Sequence, residues 1–187
     1  MDSKLQIISG AYRGRKLNLP VGARPTQNRA RIALFNMMTS DGILPNHVWD
    51  AFAGSGAFGI ECLSRFPNAY VTFTDVAPTS VAVIRKNLSQ LNVGTRATVI
   101  QCDAMQRISQ LGTASDLIFV DPPYAEHQVG NAFVKKLGNI ARSGTILIWE
   151  QETINQYTPD ETVWETLRDK TYGRARFLIL QKRSDLV

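Results

Sequence analysis

The chain has 187 residues, 44% of them hydrophobic and 20% charged, and a net charge of +5 with a pI near 9.4. That composition excludes disorder, collagen-like repeats and low complexity, and it matches a single domain spanning 1–187 with one sizeable core. No apolar run exceeds four residues, which excludes a membrane-spanning helix.

The beginning of the chain has no apolar signal stretch, and Cys62 and Cys102 have neither metal-ligand spacing nor a disulfide framework. A cytoplasmic protein without metal is expected, and a monomer, because no surplus hydrophobic stripe demands a partner.

The charge is unevenly spread. Residues 1–31 hold seven basic groups (Lys4, Arg13, Arg15, Lys16, Arg24, Arg29 and Arg31) against Asp2 alone, while the remainder is close to neutral. A basic arm on a neutral body reads as a surface that tracks phosphates, although a charge run by itself is often only a solvated tail. Residues 4–19 read as a short hairpin turning around Gly10 to Gly14. Arg24-Pro25-Thr26 then leads into a helix, with Thr26 placed to cap it and Ala30, Leu34, Met37 and Met38 as its buried face. Gly42 and Pro45 end it.

From residue 46 to 187 the pattern alternates. Strand signals at 47–52, 70–74, 97–101, 117–120 and 145–149 are separated by helical segments, one with an apolar face of Val81, Ile84, Leu88 and Leu91. Residues 163–169 and 176–180, around Gly173, read as a closing antiparallel hairpin. Repeated βα units predict an α/β fold, a doubly wound and mostly parallel sheet carrying a small N-terminal hairpin and helix. Ligands of such sheets bind beyond the carboxyl ends of the strands.

At the first strand end lies Gly54-Ser55-Gly56-Ala57-Phe58-Gly59, a glycine turn that opens a helix and lets a ligand approach backbone closely. Asp75, at the next strand end, is placed to accept from both ribose hydroxyls of a nucleoside. Asp50 sits just ahead of the turn, where a carboxylate repels a pyrophosphate but attracts an ammonium. That favours S-adenosylmethionine over a nicotinamide dinucleotide. Asp103, after the third strand, is a candidate acceptor for an adenine amine. Taken singly, Asp50 and Asp103 serve equally well as helix caps or turn formers.

Asp121-Pro122-Pro123-Tyr124 follows the fourth strand. The two prolines end the sheet and fix the backbone. An exocyclic amine on a base is a poor nucleophile because its lone pair is delocalised. A carboxylate at Asp121 accepts one amine hydrogen and later the proton, a backbone carbonyl of the proline kink takes the other, and Tyr124 stacks the base.

This combination resembles the amino-methyltransferases of the S-adenosylmethionine-dependent Rossmann-like class I, marked by Asp, Asn or Ser before Pro-Pro and an aromatic residue. More narrowly, it resembles the bacterial RsmD family, which methylates N2 of one guanine in 16S ribosomal RNA of the small subunit. The resemblance runs through Ile7 to Gly10, Arg13 to Leu17, Arg24 to Thr26, Arg29, Ala33 to Asn36, Asp50 to Ala57 and the tetrapeptide. It implies a cofactor site of Asp50, Gly54, Gly56, Asp75, Asp103 and Ala104, and a base site of Asp121, Pro122 and Tyr124. It also implies that Arg24 and Thr26 lie near the junction of cofactor and RNA, and the charge of the arm adds Arg13, Arg15, Lys16 and Arg29 as expected RNA contacts. The chain departs from the family pattern at Ser9, Asn28 and Ile32, where glycine, aspartate and glutamate are usual, and at Asp75, where glutamate is usual.

A DNA adenine-N6 or cytosine-N4 methyltransferase would share the glycine turn and the tetrapeptide, but it usually needs a recognition region for which this chain has no room. A binding module with a vestigial nucleotide fold leaves Asp121 without purpose. The tetrapeptide itself does not choose a base; guanine follows from the resemblance.

Overall fold

The computed structural model describes residues 5–21 and 28–184, with the backbone alone at Asn28 and Tyr124. The arm residues Arg24 and Thr26, with Pro25 between them, lie outside the described residues. Among those described, seven strands form one sheet: β1 (His47–Asp50), β2 (Tyr70–Asp75), β3 (Ala97–Gln101), β4 (Leu117–Val120), β5 (Ile146–Glu152), β6 (Trp164–Tyr172) and β7 (Ala175–Lys182). Their order is β3-β2-β1-β4-β5-β7-β6. The first five run parallel, and β7 pairs antiparallel with both β5 and β6. The expected closing hairpin is present and longer than its apolar runs, because pairing continues to Tyr172 and Ala175 beside the turn.

Side chains alternate across a strand, so each strand feeds two cores. Val48, Leu117, Phe119, Ile148, Phe177 and Ile179 face one side. There they meet helices α1 (Asn28–Ser40), α2 (Ala57–Arg65) and α3 (Pro78–Leu91). Trp49, Ile118, Val120, Leu147, Trp149 and Leu178 face the other side. Their partners are α4 (Ala104–Ala114) and α5 (His127–Gly138). The expected apolar face of α3 is buried throughout. On α1, Ala30, Leu34 and Met38 are buried as expected, whereas Met37 is only partly covered and Phe35 is fully buried. Because β1 pairs with β2 on one side and β4 on the other, the strand order reverses there and a crevice opens at their carboxyl ends.

The N-terminal arm is docked rather than trailing. Its hairpin is a single bridge, Gln6 to Lys16, flanked by Ile7 N–H to the Arg15 carbonyl at 2.9 Å and Leu17 N–H to the Leu5 carbonyl at 2.8 Å. Leu5, Ile7 and Leu17 are buried in the α1–α3 core. Buried Glu61 of α2 accepts the N–H groups of Ile8 at 2.8 Å and Ser9 at 3.0 Å, and the Arg65 guanidinium at 2.7 Å. Arg31, counted from sequence with the basic arm, is only 4% exposed and donates to the Gln6 carbonyl, so it belongs to the docking and not to the outer surface.

The tightest contact is Gly10, held at φ +85° with a Cβ position only 2.0 Å from the Ser64 carbonyl oxygen. Gly10→Ala adds both backbone strain and a clash with backbone that cannot rotate away, and should cost about 2 kcal/mol or more. Urea unfolding should show the lowered midpoint, and limited proteolysis should cut within residues 5–21. A wild-type midpoint would show that the arm is not seated on α2.

Candidate active site

A cavity of about 880 Å³ occupies the crevice at the carboxyl ends of β1 and β4. Asp50, Gly54, Asp75, Asp103, Ala104 and Asp121 all line it, as does Pro122. Gly56 stands behind the wall as the N-cap of α2, at φ 76°. Its Cβ would press on Ile84, and that of Gly59 would lie 2.3 Å from the Phe73 ring. The three glycines therefore set the turn and let α2 lie close on β2.

Each carboxylate has a structural duty as well. Asp75 accepts Gly54 N–H and Ala77 N–H, both at 2.8 Å, which fastens the glycine turn to the end of β2. Asp103 is the N-cap of α4, accepting Met105 N–H at 2.8 Å, so capping and cavity lining coincide in one residue. Asp50 accepts Gly59 N–H at 3.0 Å through one oxygen. Its other oxygen is buried with no hydrogen-bond partner among the described residues. Burial above all, and then the neighbouring charges of Asp121 and Asp75, push the Asp50 carboxyl well above the ordinary carboxylate range, against the opposing bond from Gly59.

Asp121 follows β4 directly and is half-buried. Loss of solvent pushes its carboxyl up to about 7. The stacked rings of Phe58 and Phe119, 4.0 Å apart, form an apolar wall in the same cavity. Pro123 accepts Glu126 N–H at 2.7 Å, closing a one-turn 3-10 helix over Tyr124–Glu126. Among the described residues no hydrogen bond reaches the Pro122 carbonyl. The kink is clamped by α5, where a Cβ on Gly130 would lie 2.9 Å from the Pro122 ring and 3.3 Å from Trp149 Nε1. The side chain of Tyr124 lies outside the described residues.

The structure does not bring the arm residues Arg13, Arg15, Lys16 and Arg29 to the cavity. Arg13, Arg15 and Lys16 are exposed on the hairpin, whose tip packs against Ser64 at the far end of α2. Arg29 is exposed at the start of α1. Of the described part of the arm, Leu19, Pro20 and Val21 at the end of the hairpin and Ala30 and Arg31 of α1 line the cavity. Sequence reasoning missed Glu150, which is 5% exposed and lines the cavity. The expected fifth strand stops at Trp149, whereas β5 runs to Glu152; an acid at the end of a fifth strand was the available signal.

The model of the family described as conserved hypothetical protein 95 matches residues 5–181. The chain belongs to this family. Over 98% of its length, and 92% of the relative's, it is 33% identical to ribosomal RNA small subunit methyltransferase D of Escherichia coli (strain K12), which bears out the resemblance to the RsmD family. The solved structure of yhhF from Escherichia coli matches with a TM-score of 0.82 at 32% identity, covering 97% of this chain and 99% of that one. An RNA methyltransferase from Salinibacter ruber in complex with S-adenosyl-L-homocysteine shares the fold, with a TM-score of 0.64 at 15% identity over 88% of this chain and 97% of that one. The fold is thus the Rossmann-like methyltransferase fold, and membership of such a family implies S-adenosylmethionine as methyl donor. No described helix is long and apolar enough to cross a membrane.

The raised carboxyl of Asp121 has a definite sign in stability. Between the ordinary carboxyl range and about 7 the folded chain holds a proton that the unfolded chain has released, so stability falls as pH rises through that window. Asp121→Asn removes this penalty. In the ligand-free protein it should add up to about 4 kcal/mol at pH 8 and progressively less towards pH 4, since each tenfold difference in proton affinity between the folded and unfolded chain is worth about 1.4 kcal/mol. Denaturant unfolding at several pH values checks this; a variant equally stable or weaker at pH 8 shows that Asp121 is not desolvated.

Proposed function

We propose that this protein transfers a methyl group from S-adenosylmethionine to the exocyclic N2 amine of a guanine in 16S ribosomal RNA, in the small ribosomal subunit or an assembly intermediate. The observation that carries the reading is the meeting of Asp121-Pro122, the glycine turn and buried Asp50 in one cavity at the strand-order reversal. The residues fit the donor. A buried carboxylate oxygen of Asp50 without a partner, in a wall rich in acids, suits a cationic ligand and disfavours a pyrophosphate.

When bound, S-adenosylmethionine supplies a methyl group made electrophilic by its sulfonium. Asp50 would hold the ammonium, Asp75 the ribose hydroxyls through lone pairs left beside its two backbone bonds, and Asp103 with Ala104 the adenine end. A carboxylate has about four acceptor sites, so these tasks are compatible with capping. Asp121 would accept one hydrogen of the guanine amine and the Pro122 carbonyl the other, which localises the nitrogen lone pair along the line of attack. As the nitrogen gains positive charge, its proton passes to Asp121, whose carboxyl near 7 matches a base working at neutral pH. Tyr124 would stack the extruded base. Arg13, Arg15, Lys16 and Arg29 would meet the RNA backbone outside the cavity, and the expected role of Arg24 and Thr26 is contact near the junction of cofactor and RNA. The working compartment would be the cytoplasm and the working unit a monomer.

Single-turnover methylation of unmodified small subunits with labelled cofactor, followed by nucleoside mapping, tests the reading. The product should be N2-methylguanosine. Asp121→Ala should slow transfer by roughly 10²–10³-fold while cofactor affinity stays within a few-fold. Wild-type rates in this variant, or a different methylated nucleoside, would overturn the assignment.

The arm is tested separately. Replacing Arg13, Arg15 and Lys16 together with glutamine should weaken binding to subunits and flatten its salt dependence by about two to three counterions, with cofactor binding unchanged. An unaltered salt slope would make the arm a solvated surface.

A further inference from the structure

Asp121, the Pro122 carbonyl and an aromatic platform treat every aminated base alike, so the proposed reaction still needs a group that chooses guanine. Glu150 is placed for it. β4 and β5 run parallel with Phe119 beside Ile148 and Val120 beside Trp149. The pairing ends there, and the same register carried one step past β4 would bring Asp121 alongside Glu150. Strand alternation puts both on the face of Phe119 and Ile148, the face of the glycine turn and α2. Both line the same cavity, and Glu150 is 5% exposed.

Guanine alone among the common aminated bases carries a second donor, N1–H, next to its amine. Adenine and cytosine have a bare ring nitrogen at that place. Two carboxylates side by side match two adjacent donors, whereas a carboxylate facing a ring lone pair is repelled and left unsatisfied. We propose that Glu150 is the specificity-determining residue of the site, accepting the guanine N1–H while Asp121 accepts the N2 amine. The proposal rests on the methyl-transfer reading above. A carboxylate that also holds a protein neighbour keeps lone pairs for this contact.

The test uses small subunits assembled with 16S rRNA carrying either guanine or 2-aminopurine at the target position. 2-Aminopurine keeps the methyl-accepting C2 amine but has a bare N1. Wild-type protein should methylate guanine at least about 100-fold faster, the scale on which a site built for a donor rejects an analogue lacking it. Glu150→Gln can turn an amide N–H towards a bare N1. It should therefore slow guanine transfer and bring the ratio of the two rates within about tenfold. A merely structural role would slow both substrates together, and an unchanged ratio overturns the proposal. So does a wild-type ratio near one, which needs no variant and stands even if Glu150→Gln fails to fold. Wild-type protein that leaves guanine subunits unmethylated would instead overturn the methyl-transfer reading itself.

Discussion

Helix α2 can lie against the sheet only because Gly59 has no side chain to strike Phe73. That closeness lets the Gly59 N–H reach Asp50, and so fixes the start of the helix, the glycine turn before it and the cavity floor together. The same helix then carries a second set of contacts at its other end, where Glu61 and Ser64 receive the backbone of the N-terminal arm. A disturbance of this one packing distance would reach both the cofactor wall and the arm, because a short helix moves as a rigid unit.

The cavity lining is acidic on balance, with Asp50, Asp75, Asp103, Asp121, Glu126 and Glu150 against Arg31 and Arg174. A fold selected for stability alone would pair Asp50 or replace it, since a buried carboxylate without a cation is costly. Here the cost persists beside an apolar wall of Phe58 and Phe119, which keeps water away from the same groups. Such an arrangement stores affinity for a cation: binding relieves repulsion that folding left in place. It also keeps Asp121 near the balance between its charged and neutral forms, where proton uptake is easiest.

Much of this was legible in the sequence. The β-strands 117–120 and 97–101 and the apolar face of α3 came through because continuous or periodic apolar runs reflect burial directly. The four aspartates were found because acids at strand ends of a doubly wound sheet have one shared destination, and the cavity gathers all of them. Glu150 escaped because the polar run Glu150-Gln151-Glu152 resembles a loop; only antiparallel pairing with β7 keeps it in the sheet. Arg31 misled in the opposite direction. Arginine in a basic stretch reads as surface, and nothing local announces that the chain folds back and buries it. The extra duties of Asp75 and Asp103 were likewise hidden, since one carboxylate can hold backbone and ligand together.

The arm tip and the cavity sit at opposite ends of α2, which at nine residues is about 13 Å long. On the proposed reading, a substrate gripped at both ends would be measured as with a caliper. The strand's phosphates must pass one jaw while a base, turned out of its stack, enters the other. A free nucleotide satisfies one jaw only, and a regular duplex holds its bases where the second cannot reach them. Selectivity of this kind would reside in the shape of the folded RNA, and would let so small a chain address one nucleotide without reading the sequence around it.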